Sequence, residues 1–170
     1  PIHMATLHIK KEECHTYGFV PKVGAEAPAF YLTKPDLSIV KLSDFAGKRI
    51  LLNVFPSIDT NVCFDSVKKL DDFAKQHNDV VILCVSMDLP FALCRVAKHE
   101  SIEKVTLLSD FRNRDFGSSY GLTIEDSKLA GLLARAVIII DETGHIIHAD
   151  LVDDISQPAD IDKAISIMEQ

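Results

Sequence analysis

What this sequence lacks narrows it first. Its 170 residues include only four cysteines, Cys14, Cys63, Cys84 and Cys94, and no Cys-x-x-Cys. Four cysteines are too sparse to staple a secreted scaffold, and a chain of this length can fold on its own core. Without Cys-x-x-Cys, the usual local forms of a zinc knuckle and of a dithiol redox site are missing. The seven histidines do not fall at ligand spacing with the cysteines. His145 and His148 would share a face only in a helix, and their surroundings read as strand, so no metal is expected. Glycine and proline, seven of each, are too few for a low-complexity linker. No apolar run approaches the roughly 20 residues of a membrane span; the longest lies near Ala136–Ile140. Positive charge is in deficit, with 18 Lys and Arg against 25 Asp and Glu and a net charge of −7. No basic cluster exceeds Lys10–Lys11 or Lys68–Lys69, so a charge-driven grip on nucleic acid is not expected. No Gly-rich loop follows a predicted strand, which disfavours nucleotide chemistry.

What is present is an ordinary globular composition, 47% apolar and 25% charged. Pro1-Ile2-His3-Met4 reads as an expression-tag remnant ahead of a native Met4, leaving one domain over residues 5–170. The start lacks a basic segment followed by an apolar stretch, so the expectation is a cytoplasmic protein with reduced thiols. Residues 5–33 alternate weakly between glycines and prolines and suit an N-terminal hairpin with an extended arm. Ser38–Leu42 is a short strand. Arg49–Phe55 is a near-continuous apolar run stopped by Pro56, the mark of a buried central strand. A helix follows from Thr60, a good N-cap, with Val67, Leu70, Phe73 and Ala74 at helical spacing. Val80–Met87 is a second buried strand, and Leu89–Lys98 a helix with Pro90 in its first turn. Val105–Leu108, a short helix at Asp115–Tyr120 closed by Gly121, and the buried strand Ala136–Ile140 come next. Asp141–Gly144 turns the chain into His145–Val152, and Pro158–Met168 is the last helix. Alternating strands and helices with a terminal antiparallel hairpin predict an α/β fold: a mixed central sheet flanked by helices.

One segment concentrates the chemistry. In Phe55-Pro56-Ser57-Ile58-Asp59-Thr60-Asn61-Val62-Cys63, a buried strand ends and a helix begins, so Cys63 falls in the first helical turn. Free N–H groups and the positive end of the helix dipole favour a thiolate there. Ligands of α/β sheets also gather at the carboxyl ends of strands. A buried structural cysteine is the bland alternative. Cys84, in the middle of Val80–Val85, reads as an inert core thiol. Cys14 sits in a polar stretch and is expected to be exposed, without a catalytic role. Phe55 and Phe91 read as core residues; Asp59 and Asp65 read as helix-capping and solvated.

The residues Pro56, Thr60 and Cys63 form Pro-x-x-x-Thr-x-x-Cys, and this resembles the active-site pattern of peroxiredoxins. The longer string from Pro56 to Cys63 is similar to the thiol peroxidase (atypical two-Cys) branch. So are Phe45–Arg49, Ser86-Met87-Asp88-Leu89-Pro90-Phe91-Ala92, Phe111-Arg112-Asn113, Phe116, Tyr120-Gly121, Gly131-Leu132, Ala134–Val137 and Leu151–Ile155, all in order. The likeness runs from about Gly24 to the end.

This resemblance implies a thioredoxin-like fold with an added N-terminal hairpin, and reduction of hydroperoxides without metal or organic cofactor. It implies Cys63 as the peroxidatic thiol, with the Thr60 hydroxyl and the Arg135 guanidinium around its sulfur and Pro56 shielding it. The sulfenic acid formed at Cys63 must then be resolved. Thiol peroxidases usually place the resolving cysteine six residues after the Phe of Asp-Leu-Pro-Phe-Ala, and here that position is Ala97. Cys94 comes three residues earlier, which is about 4.5 Å of helical rise and roughly one turn. Cys94 as resolving thiol, a one-Cys cycle closed by an external thiol, and a role for Cys14 or Cys84 remain open. The resemblance also implies a thioredoxin-type reductant, alkyl and lipid hydroperoxides as substrates, and a homodimer, with the Asp110–Tyr120 segment as its expected location. A redox-sensing interaction protein is the competing class.

Overall fold

A computed structural model describes residues 4–170. The tag-remnant reading of Pro1–Met4 therefore falls outside the described residues except for Met4. The first strands, β1 (Thr6–Ile9) and β2 (Glu12–His15), form the expected hairpin, with Leu7 opposite Cys14. Both of these side chains turn inward, so Cys14 is fully buried. The expectation that it is exposed is wrong because strand alternation sends Glu13 outward and Cys14 in. Burial pushes the Cys14 thiol up, with Asp126 and Glu12 adding to the effect.

Seven strands form the main sheet in the order β4-β3-β7-β6-β5-β8-β9. They are β3 (Tyr31–Thr33), β4 (Ile39–Lys41), β5 (Ile50–Val54), β6 (Val81–Ser86), β7 (Thr106–Ser109), β8 (Ala136–Ile140) and β9 (Ile146–Leu151). The central strands β5 and β8 are buried along their whole length, as their unbroken apolar runs require. Here β5, β6 and β7 run parallel, whereas β8 and β9 run antiparallel to their neighbours, so the sheet is mixed. The parallel connections are α1 (Asn61–Lys75) and α2 (Pro90–His99). Two shorter helices follow, α3 (Asp115–Ser119) and α4 (Ile161–Met168). Strand β3 is a separate sheet member inside what the sequence reads as an extended arm; its three residues are too few to show a period.

The sheet divides two cores. On one face Val67 and Leu70 of α1, Leu93 of α2 and Ile161 and Ala164 of α4 pack on Leu51, Ile82 and Ile139. On the other, the hairpin, α3 and the 121–134 segment pack on Leu52, Val54, Leu83 and Ile138. Phe30, Phe116 and Tyr120 form an aromatic cluster there. Gly121 closes α3 at φ 65°, and a Cβ there would collide with the Phe19 backbone. Phe91, expected in the core, is 67% exposed. The inward side of α2 is set by Pro90 and Leu93, and Phe91 falls on the opposite side.

Candidate active site

Strand β5 enters the site at its carboxyl end, where Phe55 and Pro56 are buried. The following loop is held by one carboxylate. Asp88, between β6 and α2, accepts hydrogen bonds from the Ile58 N–H (2.7 Å), the Ser57 hydroxyl (2.8 Å) and the Ser86 hydroxyl (2.7 Å). It thus ties the loop before α1 to the start of α2. In the sequence, Asp88 and Ser86 stand out only as members of the Ser86–Ala92 motif. Their one local signal is a short polar residue just before a helix that begins with proline.

Thr60 takes the N-cap position of α1, as expected, but its side chain caps nothing. Its hydroxyl donates to the Ser57 carbonyl (3.2 Å). Cys63 stands at the third helical position of that turn and is fully buried. Beneath it, the Ser66 hydroxyl donates to the Cys63 carbonyl (2.7 Å) and accepts from the Asn53 amide (3.0 Å). Asn53 also reaches the Cys84 sulfur at 3.8 Å. This buried polar chain fixes α1 on β5 and was missed because Asn53 interrupts an otherwise apolar strand. Cys84 is the core thiol the sequence predicts, and burial pushes it up to about 12.

Arg135 approaches from the segment just before β8 and is only 4% exposed. Its Nη1 lies 3.3 Å from the Cys63 sulfur, and its Nε donates to the Ile155 carbonyl (2.9 Å). A buried, permanently charged donor beside a sulfur at a helix N-terminus favours a thiolate and can bind an oxygen arriving at it. Of the five residues singled out from the sequence, Arg135 and Cys63 touch directly. Pro56 and Thr60 frame the loop that leads to Cys63.

Cys94 is half-buried on α2, and it and the other three cysteines are unpaired. Between the two helices lies a groove of about 500 Å³, lined by Asn61 and Phe64 of α1 and by Arg95, Val96 and His99 of α2. Asp59 reaches across it to Arg95 at 3.6 Å, rather than capping α1. No group of three His, Cys, Asp or Glu that could hold a metal occurs among the described residues. Among those residues no helix is long and apolar enough to cross a membrane.

With this geometry in view, the relatives are informative. The family profile described as Redoxin matches residues 22–165. A thiol peroxidase from Corynebacterium glutamicum is 43% identical over 165 residues, covering 97% of this chain and 99% of that protein. A thiol peroxidase from Mycobacterium bovis is 42% identical over the same length, again covering 97% of this chain and 99% of that protein. Among solved structures, a peroxiredoxin-like protein from Aquifex aeolicus superposes with a TM-score of 0.92 at 34% identity, covering 99% of this chain and 98% of that one. The chain belongs to the redoxin family, as a peroxidase of the thiol peroxidase and peroxiredoxin type. Its mixed sheet with flanking helices is the thioredoxin-like arrangement, extended by the N-terminal hairpin.

Proposed function

We propose that the protein reduces hydrogen peroxide and alkyl or lipid hydroperoxides at Cys63. The observation that supports this reading most is the Arg135 Nη1 at 3.3 Å from the Cys63 sulfur, in the first turn of α1. The Cys63 thiolate attacks the hydroxyl-bearing oxygen of the substrate. A sulfur–oxygen bond forms as the oxygen–oxygen bond breaks, leaving Cys63 as a sulfenic acid. The departing alkoxide or hydroxide takes a proton from water and leaves as alcohol or water. Arg135 holds the oxygens and stabilises the charge that develops on the leaving one. The Thr60 hydroxyl joins them once it releases the Ser57 carbonyl, and Pro56 keeps bulk water from the sulfur.

Cys94 then attacks the Cys63 sulfenic sulfur, forming a disulfide and expelling water. Its support is the groove that α1 and α2 share, whose α2 wall includes Arg95 and Val96 beside Cys94. The buried Cys63 must first leave its turn, since a disulfide tolerates a Cα separation of no more than about 7 Å. A thioredoxin-type dithiol returns both cysteines to thiols by exchange. A one-Cys cycle is the second reading, because the usual resolving position holds Ala97. Homodimer formation through the Asp110–Tyr120 segment is part of the proposal; Phe111, 44% exposed, offers apolar surface there.

Peroxide consumption by wild type, Cys63→Ser and Cys94→Ser with thioredoxin tests the cycle. Cys63→Ser should be inactive. Cys94→Ser should undergo one stoichiometric oxidation and then stop. Sustained turnover of Cys94→Ser would replace the disulfide by the one-Cys cycle. A single oxidation of wild type with no turnover would favour the sensor.

A further inference from the structure

The N-terminal hairpin lies on the opposite face of the sheet from α1, yet its backbone connects to the Cys63 sulfur through Ile155 and Arg135. The outward edge of β1 is not idle. The His8 N–H donates to the Asp153 carbonyl (2.7 Å), and the His8 carbonyl accepts from the Ile155 N–H (2.8 Å). The Lys10 N–H donates to the Asp154 carboxylate (3.0 Å). The same Asp154 oxygen accepts from the Ser156 N–H (3.0 Å) and hydroxyl (2.7 Å). Asp154 therefore pins the 153–156 turn to the hairpin from one side while closing the turn on itself from the other. At the centre of that turn, the Ile155 carbonyl accepts from Arg135 Nε, whose Nη1 meets Cys63. The turn is also tied back to β8, because the Val152 N–H donates to the Arg135 carbonyl (3.0 Å).

A guanidinium is planar, so fixing its Nε–H also fixes the direction of the two terminal nitrogens. Arg135 has five N–H donors and, among the described residues, one hydrogen-bonded anchor besides the sulfur. The position of the Ile155 carbonyl thus sets where the fork points. That carbonyl is in turn set by His8, Lys10 and Asp154. We propose that Asp154 is a positioning residue, which through the hairpin and the Ile155 carbonyl aims Arg135 at Cys63. Asp154 itself touches neither the sulfur nor the peroxide. The inference rests on the reading of Cys63 as the reacting thiol.

Three substitutions test it. Asp154→Ala removes the acceptor shared by Lys10 and Ser156. Asp154→Asn retains an acceptor oxygen there. His8→Pro removes the donor to the Asp153 carbonyl from the hairpin side, on a strand edge whose N–H points away from β2. Two quantities are read on folded protein, with folding checked by circular dichroism. One is the rate constant for a single oxidation of Cys63 by hydrogen peroxide. The other is the pH dependence of Cys63 alkylation by iodoacetamide, which reports the guanidinium's hold on the sulfur and which mere loss of stability would not move. Asp154→Ala and His8→Pro should slow oxidation by about tenfold, in line with the cost of misplacing a reacting group by a fraction of an ångström. They should also displace the alkylation profile from that of the wild type. Asp154→Asn should recover most of both.

Wild-type rates and alkylation profiles in folded Asp154→Ala would overturn the positioning role. So would a slowed Asp154→Ala whose alkylation profile stays in place, or an Asp154→Asn no better than the alanine variant. Cys63→Ser measured alongside separates the two failures. If it still consumes peroxide, the Cys63 reading itself is wrong; if it is inactive while Asp154→Ala behaves as wild type, only the positioning role falls.

Discussion

At the residue scale, a single contact between Arg135 Nη1 and the Cys63 sulfur distinguishes one cysteine from the other three. Cys84 and Cys14 are equally buried, but burial pushes both thiols up, and neither has a guanidinium beside it. Arg135 is more than a charge. Its Nε is committed to the Ile155 carbonyl, so the fork presents its far end to the sulfur. A lysine would retain the charge and lose this geometry. Arg135→Lys should therefore lower the rate of Cys63 oxidation by roughly 10- to 100-fold, less than the roughly 100- to 1,000-fold cost of removing an oriented donor outright, because the charge is kept. Competition with a second peroxidase for limiting peroxide measures this, and an unchanged rate would show that charge alone suffices. The place of Cys63 in the fold was legible from the sequence because its setting is local: a stopped strand, a helix start and a thiol in the first turn. The Asp88 clamp and the Ile155 carbonyl were not, because each acts across some 20 to 30 residues of chain and a backbone carbonyl leaves no mark in sequence.

At the element scale, most helices and strands follow from periodicity and punctuation, and the misses share a cause. Tyr31–Thr33 is too short to reveal alternation, and Cys14 and Phe91 sit where a neighbouring residue decides which side faces in. The attachment of α1 to the loop after α2 was equally hidden. It depends on Asp71, a charged residue that is only 1% exposed. Burial works to raise the Asp71 carboxyl, but the N–H bonds from Lys104 (2.7 Å), Val105 (3.0 Å) and Glu103 (3.3 Å), with Lys75 nearby, outweigh it and hold it low. Asp71→Ala leaves those buried donors without their acceptor and should destabilise the fold by about 2–4 kcal/mol. Urea denaturation at pH 7 reads this directly; a loss below about 1 kcal/mol would mean that water takes over the acceptor's place.

At the scale of the whole molecule, pH acts in two opposed senses. Asp71 is held low, so its contribution is present at neutral pH and is lost as pH falls through its folded value. Asp110 behaves in the opposite way. It is 1% exposed, and burial pushes it up to about 6 despite N–H bonds from Gly117 and Phe116. A raised carboxyl stabilises the fold below its unfolded value near 3.9, and that contribution is lost as pH rises through about 6. Relative to Asp110→Asn, the wild type should lose up to about 3 kcal/mol between pH 4 and pH 8. Parallel denaturation curves at the two ends of that range measure the difference; a constant gap would mean that Asp110 titrates normally.

The account as a whole turns on which sulfur meets the peroxide. One equivalent of hydrogen peroxide, added to reduced protein with dimedone present and followed by peptide mass spectrometry, answers that directly. The predicted result is a dimedone adduct on Cys63, formed early and absent from Cys14 and Cys84. An adduct that appears first on Cys94, Cys14 or Cys84, with Cys63 unmodified, would contradict it.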